Sequence, residues 1–188
     1  GGNIGRPLLC EIPRIKKDDY AVLELSSFQL HSMFCRPDVA VITNISPNHL
    51  DKHRDYQDYI DAKRAIYKNQ RPDARLVLNY DDAHSDYYRS SAVSRVSFFS
   101  DRAELSEGVV CKGGAIYRVS GGARAEMMRA DEIRLPGEHN LLNYLAAFDA
   151  VRGLVDDGVC RAVAMSFGGV EHRLEHVREL RGVEYIND

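Results

Sequence analysis

The sequence predicts an α/β domain with a mainly parallel sheet, flanking helices and a small antiparallel sheet, and three observations predict it. From Tyr20 to Phe99, short β-branched or apolar runs alternate with segments of helical periodicity. Between Glu107 and Arg129 the pattern turns to short alternating segments broken by Gly113-Gly114 and Gly121-Gly122, as in hairpins. The length of 188 residues suits one domain with a full core, since about 70% of the unfolded surface is buried at that size.

Taken in order, Tyr20 to Leu25 and Asp38 to Asn44 are expected to be buried strands, each bounded by polar or turn residues. Tyr56 to Asn69 follows with the i, i+3, i+4 spacing of a helix, then a strand from Arg75 to Asn79, a shorter helix from Asp82 to Ala92, and a strand from Arg95 to Phe99. Past the hairpins, Pro136-Gly137 opens a helix from about Glu138 to Gly153, carrying Leu141, Leu142, Leu145, Ala146 and Phe148. A second helix near Val159 to Phe167 runs into Gly168-Gly169, a pair suited to a C-cap. Leu174 to Leu180 and Val183 to Ile186, separated by Arg181-Gly182, form a terminal hairpin.

Composition narrows the class. With 25 basic and 28 acidic side chains, the net charge of -3 offers no general attraction for nucleic acid or an anionic membrane. Cys10, Cys35, Cys111 and Cys160 lie far apart with no CxxC pair, which predicts reduced, buried thiols of a cytosolic protein. No apolar run approaches the roughly 20 residues that cross a bilayer, and the first residues are not a signal sequence. A soluble, cytoplasmic chain is expected. It begins inside a glycine-rich stretch, Gly1-Gly2-Asn3-Ile4-Gly5, and stops at Asn187-Asp188 after a strand-like run, so it is expected to be a piece of a longer protein.

Five features offer chemistry. In Leu23-Glu24-Leu25-Ser26-Ser27 a carboxylate stands near the carboxyl end of a predicted strand, the edge where ligands gather in open α/β sheets, although a solvent-facing Glu has the same spelling. His49, in the loop from Thr43 to Asp51, leaves the next strand at that edge, where its imidazole either joins Glu24 around a divalent cation or is structural. Lys63 falls inside the apolar stripe of Tyr56, Tyr59, Ile60, Ile66 and Tyr67. Desolvation there lowers an amine's pKa, and a neutral amine reacts with carbon dioxide to give an anionic carbamate; the alternative is a lysine that snorkels to water. Asn140 and Asn143 share one face at a helix start, fit for a planar donor–acceptor edge such as adenine, or for capping. Arg173 could hold a phosphate bidentately, and Asp188 could accept from ribose hydroxyls.

Together the segments GGNIG, LELSSFQL, ITNISPNHLD, AKRAIYKNQ, LPGEHNLLN, FGGVEHRLE and YIND resemble the Mur ligase family in order and approximate spacing across essentially the whole chain. The resemblance implies a central, Rossmann-like, ATP-binding domain spanning residues 1–188. It implies an enzyme that phosphorylates a substrate carboxylate with ATP, so that an amino acid's amine attacks the acyl phosphate to form an amide. SSFQL and GGNIG point to the branch that joins D-glutamate to UDP-N-acetylmuramoyl-L-alanine in peptidoglycan synthesis, acting as a monomer. By the same resemblance Glu24, His49 and a carbamylated Lys63 hold Mg²⁺ at the catalytic centre. Asn140 and Asn143 serve adenine, Arg173 the ATP phosphates and Asp188 the ribose; Gly2 and Asn3 hold the UDP-sugar, with Ser26 as a helper at the metal or substrate site.

Three departures stand against the family pattern. No G-x-x-x-x-G-K-[ST] phosphate loop occurs in the sequence, the C-terminal domain that by the resemblance grips D-glutamate is expected to lie outside these residues, and Lys52 follows His-Leu-Asp where Arg is expected. These 188 residues alone are therefore expected to show little or no ligase activity. The competing expectations are a sister ligase, one that adds a different amino acid or glutamylates folate, and a non-catalytic nucleotide-binding module.

Overall fold

A computed structural model describes residues 8–46, 53–170 and 175–187. Its centre is one six-stranded sheet, in spatial order β1 (Val39–Ile42), β2 (Arg75–Asn79), β3 (Arg95–Ser100), β4 (Gly108–Lys112), β5 (Ala115–Ser120) and β6 (Ala123–Arg129). The pairs from β1 to β4 are parallel and those from β4 to β6 antiparallel. The expected hairpins thus exist, and they continue the parallel sheet at its edge.

Helices cover both faces, as a sheet with apolar residues on both faces requires. In β2 the alternation is explicit: Leu76 and Leu78 face α2 (Tyr56–Arg64) and α3 (Ser85–Ser91), where they pack with Tyr59, Ile60, Tyr67 and Tyr88. Val77 faces the opposite layer of α4 (Glu138–Ala150) and α5 (Asp157–Ser166), with Phe99, Val109, Leu145 and Phe148. A short helix, α1 (Ser27–Ser32), lies against α2 through Leu30, Cys35 and Ala65. The terminal hairpin is β7 (Glu175–Leu180) with β8 (Val183–Asn187), turning at Arg181-Gly182 as the sequence indicated.

Several expectations are corrected. Tyr20 to Leu25 is not a buried strand: Tyr20 and Val22 are 74% and 83% exposed, and only Glu24 takes part in a bridge. The apolar run is real, but a strand also needs a neighbour to form a ladder, and the six-stranded sheet does not include this run. The helix from Tyr56 ends at Arg64, because the next bonds, Ile66 N–H to Lys63 O and Tyr67 N–H to Arg64 O, span three residues in the tighter turn that closes many helices. Phe167, in an extended conformation, caps α5 instead of the glycine pair. Cys10 is exposed, whereas the other three free cysteines are buried. A 3₁₀ segment at Leu8–Arg14 had no counterpart in the sequence expectations.

Gly108 fixes the point where the chain returns to run parallel to β3 after only the loop 101–107. Its φ of +125° lies outside the range of L side chains, and an added Cβ would fall 1.8 Å from the Phe98 carbonyl oxygen.

Candidate active site

The orientation of α4 decides what meets at the carboxyl edge of the parallel strands. Its C-terminal carbonyls are held by guanidinium groups: Arg75 Nη1 donates to Asp149 O at 2.7 Å, Arg75 Nη2 to Arg152 O at 2.9 Å, and Arg118 to Phe148 O at 3.4 Å. Cations there complement the negative end of the helix dipole. Since Arg75 begins β2, this end of α4 sits at the amino edge of the sheet. The N-terminus of α4 therefore points to the opposite edge, where Arg102, just beyond β3, reaches Glu138 at 3.2 Å. Asp149 is fully buried beside Arg152 Nε at 3.5 Å; burial pushes its pKa up, opposed by the neighbouring Ser97 and by the charges of Arg152, Arg75 and Arg118.

At that N-terminus, Gly137 has φ +111° and its missing Cβ would lie 2.9 Å from the His139 ring. Asn140, 8% exposed, donates from Nδ2 to the Pro136 carbonyl at 2.6 Å and so closes the turn into the helix. Asn143 is exposed one turn later. The two amides do not present one common edge: one is buried and engaged with backbone, the other open to solvent. At the same helix start lies a mostly apolar depression of about 240 Å³ lined by Ala130, Ile133, Leu135, Pro136, Gly137, Glu138 and Leu141.

Lys63 occupies the stripe position that made it notable. Its Nζ lies 5.5 Å from the centroid of the Tyr59 ring, and the residue is half-buried. Burial pulls the amine's pKa below the usual lysine range, and the Glu24 carboxylate pushes it back up. The structure therefore brings Lys63 and Glu24 within electrostatic range of each other although they are far apart in sequence. Glu24 itself is exposed and has partners of its own.

Ser26 has a local occupation. It is the N-cap of α1, accepting from Gln29 N–H at 3.2 Å while its own N–H donates to Gln29 Oε1 at 2.9 Å, which completes a capping box. Gly2, Asn3, His49, Arg173 and Asp188 lie outside the described residues. The carboxyl edge also carries groups that the sequence reasoning passed over: Asp82 Oδ2 accepts from Ile45 N–H at 2.7 Å, and Ser100 Oγ donates to Asp81 Oδ2 at 2.6 Å. The adjacent pair Asp81-Asp82 directly after a predicted strand was the available signal.

Comparisons with known proteins agree with this architecture. A family model described as the Mur ligase middle domain matches residues 2–151. The chain is 47% identical over 188 residues to a UDP-N-acetylmuramoylalanine--D-glutamate ligase of Acetivibrio thermocellus, and 46% identical to a protein of the same name from Clostridium perfringens. Each alignment takes in 100% of this chain and 40% of the relative, so the chain spans about 40% of the length of the curated relatives it matches. Among solved structures, MurF from Acinetobacter baumannii superposes with a TM-score of 0.64 at 21% identity, over 81% of this chain and 34% of that one. A UDP-N-acetylmuramoyl-L-alanyl-D-glutamate--2,6-diaminopimelate ligase does so at 0.60 and 23% identity, over 84% and 34%. At these identities the superpositions bear on the fold.

Proposed function

This chain belongs to the Mur ligase family, and from that premise we propose that it forms the ATP- and metal-handling part of a cytoplasmic enzyme joining D-glutamate to UDP-N-acetylmuramoyl-L-alanine. The observation that carries the site is the half-buried Lys63 amine, 5.5 Å from the Tyr59 ring centroid and within electrostatic range of Glu24. The name borne by the relatives that match the whole chain supports the choice of substrates.

The residues fit the groups that such a reaction needs. An amine that burial pushes toward its neutral form suits carbamylation, and a carbamate beside the Glu24 carboxylate gives the oxygen donors that Mg²⁺ prefers. His49 belongs to the same proposed ligand set. The depression beside Asn140 is smaller than the roughly 300 Å³ at which drug-sized pockets begin, so it suits a single base. In this account Asn140 acts through Pro136, a lining residue whose carbonyl it holds, while the exposed Asn143 is free to turn toward the base. The N-terminal amides of α4 point to the strand edge, the polarity that favours phosphate. Arg173 and Asp188 are proposed to meet the phosphates and ribose, and Gly2, Asn3 and Ser26 the UDP-sugar.

ATP, when bound, supplies the phosphoryl group that turns the substrate carboxylate into an acyl phosphate. The protein's own contribution is positioning and charge neutralisation, which dominate phosphoryl transfer. The test is phosphate release by the complete protein with ATP, Mg²⁺ and UDP-N-acetylmuramoyl-L-alanine, offered D-glutamate or other amino acids in turn. Turnover that requires D-glutamate supports the proposal; turnover with a different amino acid, or none, refutes it.

A further inference from the structure

Among the described residues one group of side chains has the donor atoms of a transition-metal site and belongs to none of the roles above: His31 near the end of α1, His53 just before α2, and Asp58 in the first turn of α2. His31 Nε2 and His53 Nδ1 are 3.3 Å apart, and each lies 3.5 Å from the same oxygen, Asp58 Oδ2. A cation about 2.1 Å from all three would sit about 0.7 Å out of their plane, which is the offset of a tetrahedral centre with one vertex left for water.

The surroundings orient these ligands. The His53 side chain is fully buried, with its Nε2 at 2.8 Å from Ser27 Oγ. In the tautomer that donates Nε2–H to that hydroxyl, Nδ1 keeps its lone pair toward the other two ligands, the arrangement that outer partners impose on metal-binding histidines. The Tyr59 ring packs edge-on against His53 at 5.3 Å, and His31 stacks on it at 5.2 Å. Asp58 is held ionised at a pKa of about 2, chiefly by its hydrogen bond to Arg54.

We propose that His31, His53 and Asp58 bind one divalent transition-metal ion, with Zn²⁺ the best match to a set of two imidazoles and one carboxylate. Mg²⁺ is a poor match, because it prefers six oxygens in an octahedron. The ion joins α1 to the start of α2. Glu24 lies just ahead of α1 and Lys63 on α2, so the ion braces the two elements that bring that pair together. Arg54 opposes it: Nη2 lies 2.8 Å from Asp58 Oδ1, and its charge weakens the site for any cation.

The test is calorimetric titration of the purified, chelator-stripped chain with Zn²⁺, together with the visible spectrum of the Co²⁺ form. One equivalent should bind, a large excess of Mg²⁺ should not displace it, and Co²⁺ should give the intense absorption of a tetrahedral centre. His31 is partly exposed, so His31→Ala should fold normally while weakening Zn²⁺ at least about tenfold and abolishing the tetrahedral spectrum. Arg54→Ala, at an exposed position, should tighten binding several-fold. Zn²⁺ affinity unchanged in His31→Ala, or a weak octahedral Co²⁺ spectrum in the parent chain, would overturn the proposal.

Discussion

Replacing Gly108 by alanine tests how the sheet is assembled. The Cβ would stand 1.8 Å from Phe98 O, against the 3.0 Å below which such contacts essentially never occur. Strands β3 and β4 would have to part by about 1.2 Å at a normal spacing of about 4.8 Å, enough to break ladder hydrogen bonds worth about 1 kcal/mol each. An L residue at φ +125° costs roughly a further 1–3 kcal/mol. The sum is about 3–5 kcal/mol from a total stability of roughly 5–15 kcal/mol. At about 2–4 °C per kcal/mol for a chain of this size, the midpoint should fall by about 6–20 °C, read by thermal and urea denaturation. Gly113→Ala is the control, because its Cβ would meet nothing within 4 Å at φ +57°, leaving only the backbone penalty of roughly 1 kcal/mol. A Gly108→Ala loss no larger than that of Gly113→Ala would refute the close approach of β4 to Phe98.

Other outcomes follow from single contacts. Asn140→Ala removes the bond to Pro136 O from a buried turn, so the domain should lose about 1–2 kcal/mol in urea denaturation, and the complete enzyme should show a raised KM for ATP. Glu132 accepts from Arg129 N–H at 2.8 Å and pairs with Arg161, which together hold its carboxyl below the usual range. The folded pKa is depressed, so this stabilisation is present above pH 4.5 and lost on acidification through the folded value. Glu132→Gln should therefore lower the midpoint at pH 7, and the gap to wild type should shrink as the pH falls below 4.5. Lys63→Met removes an amine whose folded pKa is depressed by burial. In buffer freed of carbon dioxide and bicarbonate, where the amine is unmodified, the parent is penalised below that pKa for burying an ammonium, so the variant should gain stability there, with the gain shrinking as pH rises toward 10.5.

How much of this was legible depended on whether the cause was local. The continuous apolar run of β2 announces a strand buried on both faces, and Leu76, Val77 and Leu78 do divide between the two layers. Lys63 was conspicuous because the stripe around it is set by helical spacing, and Tyr59, Ile60 and Tyr67 are buried as that spacing requires. Tyr20 to Leu25 misled because an apolar run is a property of the segment, whereas a ladder partner is supplied by the rest of the fold. The ends of α2 and α5 were set by three-residue turns and an extended Phe167, which leave no mark in composition. His31 and His53 stand 22 positions apart and meet only because α1 folds back on α2. The single-face expectation for Asn140 and Asn143 had the spacing right but missed that Pro136 supplies a backbone acceptor for the first amide.

The most direct test of the ligase account is the rate at which the complete enzyme joins D-glutamate to UDP-N-acetylmuramoyl-L-alanine when Lys63 is replaced by alanine. The account predicts that turnover is abolished, that added bicarbonate does not restore it, and that the variant still folds. Near-wild-type turnover in Lys63→Ala would contradict it.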